Sequence, residues 1–307
     1  MSVASAPITF KTPVISVIIP SYNHAHFIGR ALQSVLDQAF DDWEAIIIDN
    51  HSQDNTDEVV DKFKDPRITL LKIHNNGVIA ASRNAGINAA KGEFIAFLDS
   101  DDWWDARKLA LGIAAMHAGA DLVYHDLYTV QSLEQTQFFK RIVSDKPKHP
   151  MFLALLYKGI SIPNSSVMVR RKLLMQIGGE TEKRELISVE DFDTWIRLSK
   201  ITESFVRLPD CLGFYWMGGG NASSSSPIQC ERIIALYNQY IDELKDADCR
   251  RATGFLAYRV GRIAQLYGDK VKANSNLLVA LSSPINYSYR AKALYFLTSN
   301  LLSRLKA

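Results

Sequence analysis

Five short apolar runs rich in β-branched residues, "VISVII", "EAIIID", "ITLLKI", "EFIAFL" and "DLVY", follow one another between Val14 and Tyr124. Between them lie "AHFIGRALQSVLDQ", "DNTDEVVDKF", "VIAASRNAGINAAK" and "ARKLALGIAAMHA", whose apolar residues recur at helical spacing. Runs this apolar have no polar face to turn to water, so each needs cover on both sides. A parallel sheet with right-handed crossovers meets that need by placing helices above and below it. The alternation therefore predicts a doubly wound α/β fold with a mostly parallel central sheet.

In open sheets of this kind ligands sit beyond the carboxyl ends of the strands. Here those ends read Pro20-Ser21-Tyr22-Asn23, Asp49-Asn50-His51-Ser52, His74-Asn75-Asn76-Gly77 and Asp99-Ser100-Asp101-Asp102. Each taken alone is also ordinary loop or cap chemistry, and Asp54 or Thr56 is expected to cap the helix after the second strand. The fourth end asks for more. Asp99, Asp101 and Asp102 repel one another unless a cation or a donor-rich ligand neutralises them. An Asp-x-Asp pair at a strand end lets one carboxylate bind a divalent cation while the other meets a ribose or a water. The open coordination positions then suit the phosphate oxygens of a nucleotide diphosphate. As an isolated three-residue pattern it is common in loops.

After Val123 the alternation loosens. "MFLALLYKGI" and "RRKLLMQIGG" read as short helices around an extended "SSVMVR", and "SVEDFDTWIRLSK" opens a helix with acids in its first turn, where the helix dipole favours them. "ESFVRL" and "LGFYWM" read as two strands, "GGGNASSSSP" as a loop, and everything past Pro227 as helix.

At 307 residues and 47% hydrophobic the chain can bury a full-sized core, and a net charge of +2 excludes a strongly basic nucleic-acid binder. The charge is uneven. From Arg250 onward there are ten Lys/Arg and one acid, Asp269, so that stretch carries +9 and residues 1–249 carry −7. Residues 1–13 lack the basic and apolar regions of a secretory signal, and no run reaches the ~18 apolar residues of a membrane span, so a cytoplasmic location is expected. Three cysteines, Cys211, Cys230 and Cys249, with no CxxC pair fit a reducing compartment. Two N-x-S matches, at Asn164 and Asn221, are then chance.

Four stretches in order carry a family resemblance: "VISVIIPSYNHAHFIGRALQSVLDQ", "WEAIIIDNHSQDNTDEVV", "NNGVIAASRNAGINAAKGEFIAFLDSDD" and "SVEDFDTWIRL". Together they resemble the inverting GT-A glycosyltransferases of family 2. The resemblance is strongest from Val14 to Leu109, extends more weakly to about Met217, and stops there. It implies a GT-A nucleotide-diphospho-sugar transferase fold over 1–226, with a nucleotide-sugar half at about 14–122 and an acceptor half at about 123–226. The basic helical region at 227–307 follows. By position it implies that Pro20 and Tyr22 meet the nucleotide base and that Asp49 and Asn50 recognise base and ribose. The family often has Asp-Asp where this chain has Asp49-Asn50, so at Asn50 an uncharged amide oxygen would accept the uracil N3 proton. Ser100 belongs to the same nucleotide-binding segment. Arg83 falls near the nucleotide or braces the Asp loop. Asp99 contacts ribose or metal-bound water, and Asp101 coordinates Mn²⁺ or Mg²⁺, with Asp99 as a second metal contact. The implied donor is a nucleotide sugar, UDP-linked by preference.

Inverting transfer is a single displacement, in which a carboxylate takes the acceptor hydroxyl's proton as the diphosphate leaves. "VEDFDTW" supplies that base, and by position it is Asp191, with Glu190 orienting it or replacing it. The same acids also serve as first-turn helix residues. Where the family often shows a Tyr-Arg-x-His segment, this chain has Trp216 and Gly218. Either the metal neutralises most of the diphosphate charge, or the 218–226 segment closes over the donor with backbone N–H groups and Ser223 to Ser225, or it is a linker. Trp103 and Trp104 read as a sugar platform or as core.

The basic tail has amphipathic faces at Leu256, Val260, Ile263 and Tyr267, and at Leu294, Leu297, Leu301 and Leu305. Peripheral contact with the cytoplasmic face of the inner membrane, homodimer contact and packing on the catalytic part all remain open for it. A glycan or lipid-linked acceptor in bacterial surface polysaccharide or lipooligosaccharide synthesis is the product class the resemblance implies. Two other classes compete: a nucleotidyltransferase or dinucleotide enzyme, disfavoured because no GxGxxG opens the first helix, and a non-catalytic binder, disfavoured by the metal and base carboxylates.

Overall fold

The computed structural model describes residues 12–219 and 225–305. The first half runs β1 (Ile15–Ser21), α1 (Ala25–Leu36), β2 (Trp43–Asp49), α2 (Thr56–Asp61), β3 (Ile68–Lys72), α3 (Ile79–Ala89), β4 (Phe94–Phe97), β5 (Trp103–Trp104), α4 (Lys108–His117) and β6 (Leu122–Val130). The second half runs β7 (Arg141–Ile142), α5 (Met151–Tyr157), β8 (Met168–Arg170), α6 (Arg171–Gln176), α7 (Glu190–Ser199) and β9 (Phe205–Trp216). Four helices complete it: α8 (Pro227–Asn238), α9 (Asp246–Tyr267), α10 (Lys270–Ser282) and α11 (Tyr287–Leu305).

β3, β2, β1 and β4 lie side by side in that order and pair in parallel. Both faces are covered, as the apolar runs require: Ile15, Val17 and Ile19 of β1 pack with α1, α2 and α4, while Ile18 packs on the opposite side with Ile87 of α3. Each such fully buried side chain contributes ~1.5–3 kcal/mol. This is the GT-A fold the motifs imply.

Beyond β4 the sheet is mixed. β8 enters antiparallel between β4 and β6, and β6 then runs parallel to β9. The two strands expected at "ESFVRL" and "LGFYWM" are one continuous β9. Pro209 falls inside its first register shift, between the Arg207 and Cys211 pairings, where a ladder tolerates a residue without an N–H. Local pattern reads proline as a break; here the partner strand bridges it.

The helices beyond Pro227 share the core of the α3 face, with Cys230, Ile233, Leu236, Val260 and Leu277 in one cluster with Ile18 and Phe97. α9 buries a narrow face of Ala252, Gly254, Ala257, Gly261 and Ala264, and a Cβ on Gly261 would lie 2.9 Å from Leu277 Cγ. Small residues thus let α10 lie close against α9. Of the apolar stripe expected on α11, Leu297 is buried while Leu294 and Leu301 face outward together with Tyr295 and Leu302. No helix among the described residues is long and apolar enough to cross a membrane.

Candidate active site

Three strand-end loops are tied together at the rim of the sheet. Each contains one non-glycine residue in the left-handed region: Asn23 after β1, His51 after β2 and Asn76 after β3. The Asn23 N–H donates to Ser52 Oγ at 2.8 Å, and the Ala25 N–H at the start of α1 donates to Asp54 Oδ2 at 2.9 Å. Asp54 also accepts from the Thr56 N–H, so it serves both α1 and α2, more than the single cap expected of it. Asn50 Oδ1 accepts from the Asn75 N–H at 2.9 Å, and Asn75 Nδ2 donates to Ser82 Oγ at 2.9 Å. The His51 and His74 rings stack at 3.8 Å.

α3 carries the next element of the site. Its Gly86 sits against β1 and β2, where a Cβ would lie 2.6 Å from Ile18 Cγ2 and 2.7 Å from Ile48 Cδ1. That close approach sets Arg83, one turn earlier, beneath the carboxyl end of β4. Arg83 Nη2 donates to Asp99 Oδ1 at 2.9 Å, and Nη1 donates to Glu190 Oε1 at 3.0 Å and Glu180 Oε2 at 3.2 Å. Its neighbour Asn84 exchanges two hydrogen bonds with the Glu180 backbone, Nδ2 to the carbonyl at 2.9 Å and Oδ1 from the N–H at 2.8 Å. Burial opposes the charge on Arg83, but Glu180, Asp99 and Glu190 outweigh it and hold the guanidinium protonated.

These elements enclose a cleft of about 730 Å³ lined by Pro20, Tyr22, Asn50, Arg83, Asp99, Ser100, Asp101, Glu190 and Asp191. Pro20 and Tyr22 form one end, and Tyr22 is half exposed, with its ring available to a planar ligand. Ser100 Oγ is 2.7 Å from His24 Nδ1. Burial, then the neighbouring His26, lowers the His24 pKa against the opposing pull of Asp99 and Asp54. Asp191 is the second residue of α7, three positions after Ser188, which is at φ 68°. Burial and then the Glu190 charge raise the Asp191 carboxyl to about 7, with Arg83 and the Phe192 N–H opposing. Burial and then Asp99 raise the Asp101 carboxyl likewise to about 7.

Two expected ligand groups are already engaged. Asp49 is fully buried and does not line the cleft; its Oδ2 accepts from the Ser52 N–H at 2.9 Å and its Oδ1 from the Ser52 hydroxyl. Its carboxylate shapes the turn after β2. Asn50 lines the cleft, but its Oδ1 already holds Asn75, so a base meeting that oxygen would share its second lone pair. Arg83 lines the cleft and also braces the acidic loops. Asp102 turns inward, where its Oδ1 accepts the Trp216 N–H at 2.9 Å and ties β9 to the β4 loop. Trp104 is core, donating to the Ser165 carbonyl at 2.7 Å, and Trp103 stacks on Phe214 at 5.0 Å. Residues 220–224, with Ser223 and Ser224 of the expected loop donors, lie outside the described residues.

Local pattern carries no signal for Glu180, one of two acids in "GGETEK", or for Asn164, whose Nδ2 donates to Asp99 Oδ1 at 3.3 Å. Asn164 Oδ1 and Glu190 Oε2 are buried acceptors without a donor among the described residues. Five carboxyl groups, Asp99, Asp101, Glu180, Glu190 and Asp191, thus gather around Arg83. Among the described residues no three His, Cys, Asp or Glu side chains form a metal cage. This oxygen-rich, under-neutralised rim fits a hard divalent cation held by Asp101 and Asp99 and otherwise by substrate oxygens.

The model for "Glycosyl transferase family 2" matches residues 16–178. The putative teichuronic acid biosynthesis glycosyltransferase TuaG of Bacillus subtilis (strain 168) is 30% identical over 229 residues, 74% of this chain and 88% of that one. The UDP-Glc:alpha-D-GlcNAc-diphosphoundecaprenol beta-1,3-glucosyltransferase WfgD of Escherichia coli is 45% identical over 103 residues, 34% of this chain and 41% of that one. Among solved structures, the mannosyltransferase PcManGT of Pyrobaculum calidifontis, in complex with GDP-Man and Mn²⁺, has a TM-score of 0.61 at 18% identity over 98% of this chain and 83% of that one, a likeness of fold.

Proposed function

The chain belongs to glycosyl transferase family 2, with relatives in bacterial cell-surface polysaccharide synthesis, and from that premise we propose a metal-dependent, inverting transfer of a hexosyl or N-acetylhexosaminyl group. The donor is a nucleotide diphosphate sugar, UDP-linked by preference, and the acceptor is a hydroxyl of a glycan or lipid-linked saccharide. One observation carries this reading. Asp101 at the end of β4 and Asp191 at the start of α7 line one cleft, and both carboxyls are raised to about 7.

The nucleotide lies at the Pro20 and Tyr22 end, with the base against the Tyr22 ring and Asn50. Mn²⁺ or Mg²⁺ held by Asp101 and Asp99 supplies charge neutralisation for the departing diphosphate. Asp191 takes the acceptor proton; a carboxyl titrating near neutrality combines an adequate ionised fraction with a stronger pull on the proton than an ordinary aspartate has. Glu190, held by Arg83, fixes the start of α7 and therefore the place of Asp191. The relative named for UDP-Glc and a diphosphoundecaprenol-linked acceptor supports UDP and a lipid-linked acceptor. The outward apolar residues of α11, next to exposed Arg290 and Lys292 in a stretch of charge +9, support contact with an anionic membrane surface.

The deciding experiment is a screen of UDP- and GDP-sugars for Mn²⁺-stimulated hydrolysis, which needs no acceptor. One donor hydrolysed faster with metal by wild type, and not by Asp101→Ala, is the expected result; metal-independent hydrolysis equal in both proteins would overturn the metal-dependent mechanism.

A further inference from the structure

Arg259 stands on α9, outside the segment matched by the family model, yet it lines the same cleft as Asp191. Its guanidinium carbon lies 4.9 Å from the centre of the Phe192 ring, the residue after Asp191, and its charge acts on the Tyr237 hydroxyl. That hydroxyl gives its own proton to the Leu156 carbonyl at 2.7 Å, so it is free to face Arg259 as an acceptor. The cleft's other basic groups are spoken for. Arg83 is shared among three carboxylates, and burial disfavours a charge on His24. Arg259 has no carboxylate within ion-pair distance among the described residues, although neighbouring Arg251 has Asp248 and Arg197 has Asp193.

Arg259 meets the Phe192 ring, and the apolar Leu155, Ile160 and Phe255 line the same cleft, Phe255 one turn earlier on the same helix. The Gly and Ala face that locks α9 against α10 holds the helix in place, so the guanidinium is presented from a rigid support. A planar cation without a protein counter-ion, in a low-dielectric wall, suits a phosphate group, which it can meet with two parallel N–H bonds.

We infer that Arg259 recognises a phosphate of a substrate bound in this cleft, on the side where the acceptor meets Asp191. The apolar wall beside it suits the first carbons of a lipid attached to that phosphate. Naming the acceptor side rests on the transferase reading above, but binding by Arg259 can be measured without turnover.

The test uses the whole 307-residue chain with Mn²⁺ and two phosphate probes, UDP and farnesyl diphosphate, each with its phosphate-free control, uridine and farnesol. In Arg259→Gln the affinity for farnesyl diphosphate should fall about tenfold or more, with UDP, uridine and farnesol held within about twofold. A loss confined to UDP would keep the phosphate role and move its source to the donor. Unchanged affinity for both diphosphates would overturn the inference. Arg259→Lys, which keeps the charge without the fork, should retain part of the affinity, and in wild type the farnesyl diphosphate affinity should weaken with added KCl while farnesol's does not. Those two readings hold even if the Gln variant folds poorly. A protein that hydrolyses no nucleotide sugar but loses farnesyl diphosphate on Arg259→Gln would sink the transferase reading and leave this one standing.

Discussion

Arg83 Nη1 and Glu190 Oε1 meet at 3.0 Å across 107 residues of chain, joining α3 to the first residue of α7. Through the same guanidinium Asp99 is held at 2.9 Å, so the loop after β4 and the start of α7 are registered by one buried cation. The geometry of the site therefore depends on a residue that need not touch the reacting atoms.

Arg83→Gln should destabilise the protein by about 3–5 kcal/mol at neutral pH, because Glu180 and Glu190 stay buried without their partner. Urea denaturation at pH 7.5 reads this directly. A variant as stable as wild type at pH 7.5 would show that the ion-pair network contributes little.

Asp101→Ala should abolish the stimulation of UDP binding by Mn²⁺. Calorimetry with and without the metal is the measurement, and equal UDP affinity in wild type under both conditions would count against a metal at Asp101. Because protons compete for a carboxyl raised to about 7, metal binding by wild type should strengthen as pH rises through neutrality.

Asp191→Asn should keep UDP binding and lose transfer by roughly 10²–10⁴-fold. With the folded Asp191 carboxyl at about 7 against an ordinary 3.8, the folded protein holds a proton there that the unfolded chain has released. Its contribution to stability is therefore present at acid pH and fades between about pH 4 and 7, while wild-type transfer rises through about pH 7 as the base ionises. Full turnover by the Asn variant would move the base to Glu190.

Replacing Leu294 and Leu301 together by Glu should abolish association with phosphatidylglycerol vesicles and leave the thermal midpoint nearly unchanged, since both side chains already face solvent. Each Lys or Arg near such a surface adds ~1 kcal/mol, so wild-type binding should also weaken with salt. Equal binding to neutral phosphatidylcholine vesicles would remove the electrostatic part of the argument.

The alternation of apolar runs was enough to place β1 to β4, the two covered faces and the four polar strand ends, because side-chain period and burial are local properties of a strand or helix. The motif order was enough for the family. Periodicity could not show that β8 enters antiparallel or that β9 runs on through Pro209, since both depend on which strand lies alongside. It also placed Leu294, Leu297 and Leu301 on one face, where packing against α9 and α10 takes Leu297 inward and leaves the others outside.

By itself, then, the sequence determined the polar strand ends, with Tyr22, Asn50, Asp99 and Asp101 on them, and the acidic start of α7 that carries Asp191. Tertiary structure decided how they are used: Asp49 turned to Ser52, Asp102 to Trp216, and Arg83 to Glu180 and Glu190. It also brought Arg259 from a helix beyond the family motifs into the cleft. The reason is physical. A buried charge takes whichever partners the packing of distant elements sets within hydrogen-bond reach, and spacing along the chain carries no record of that distance.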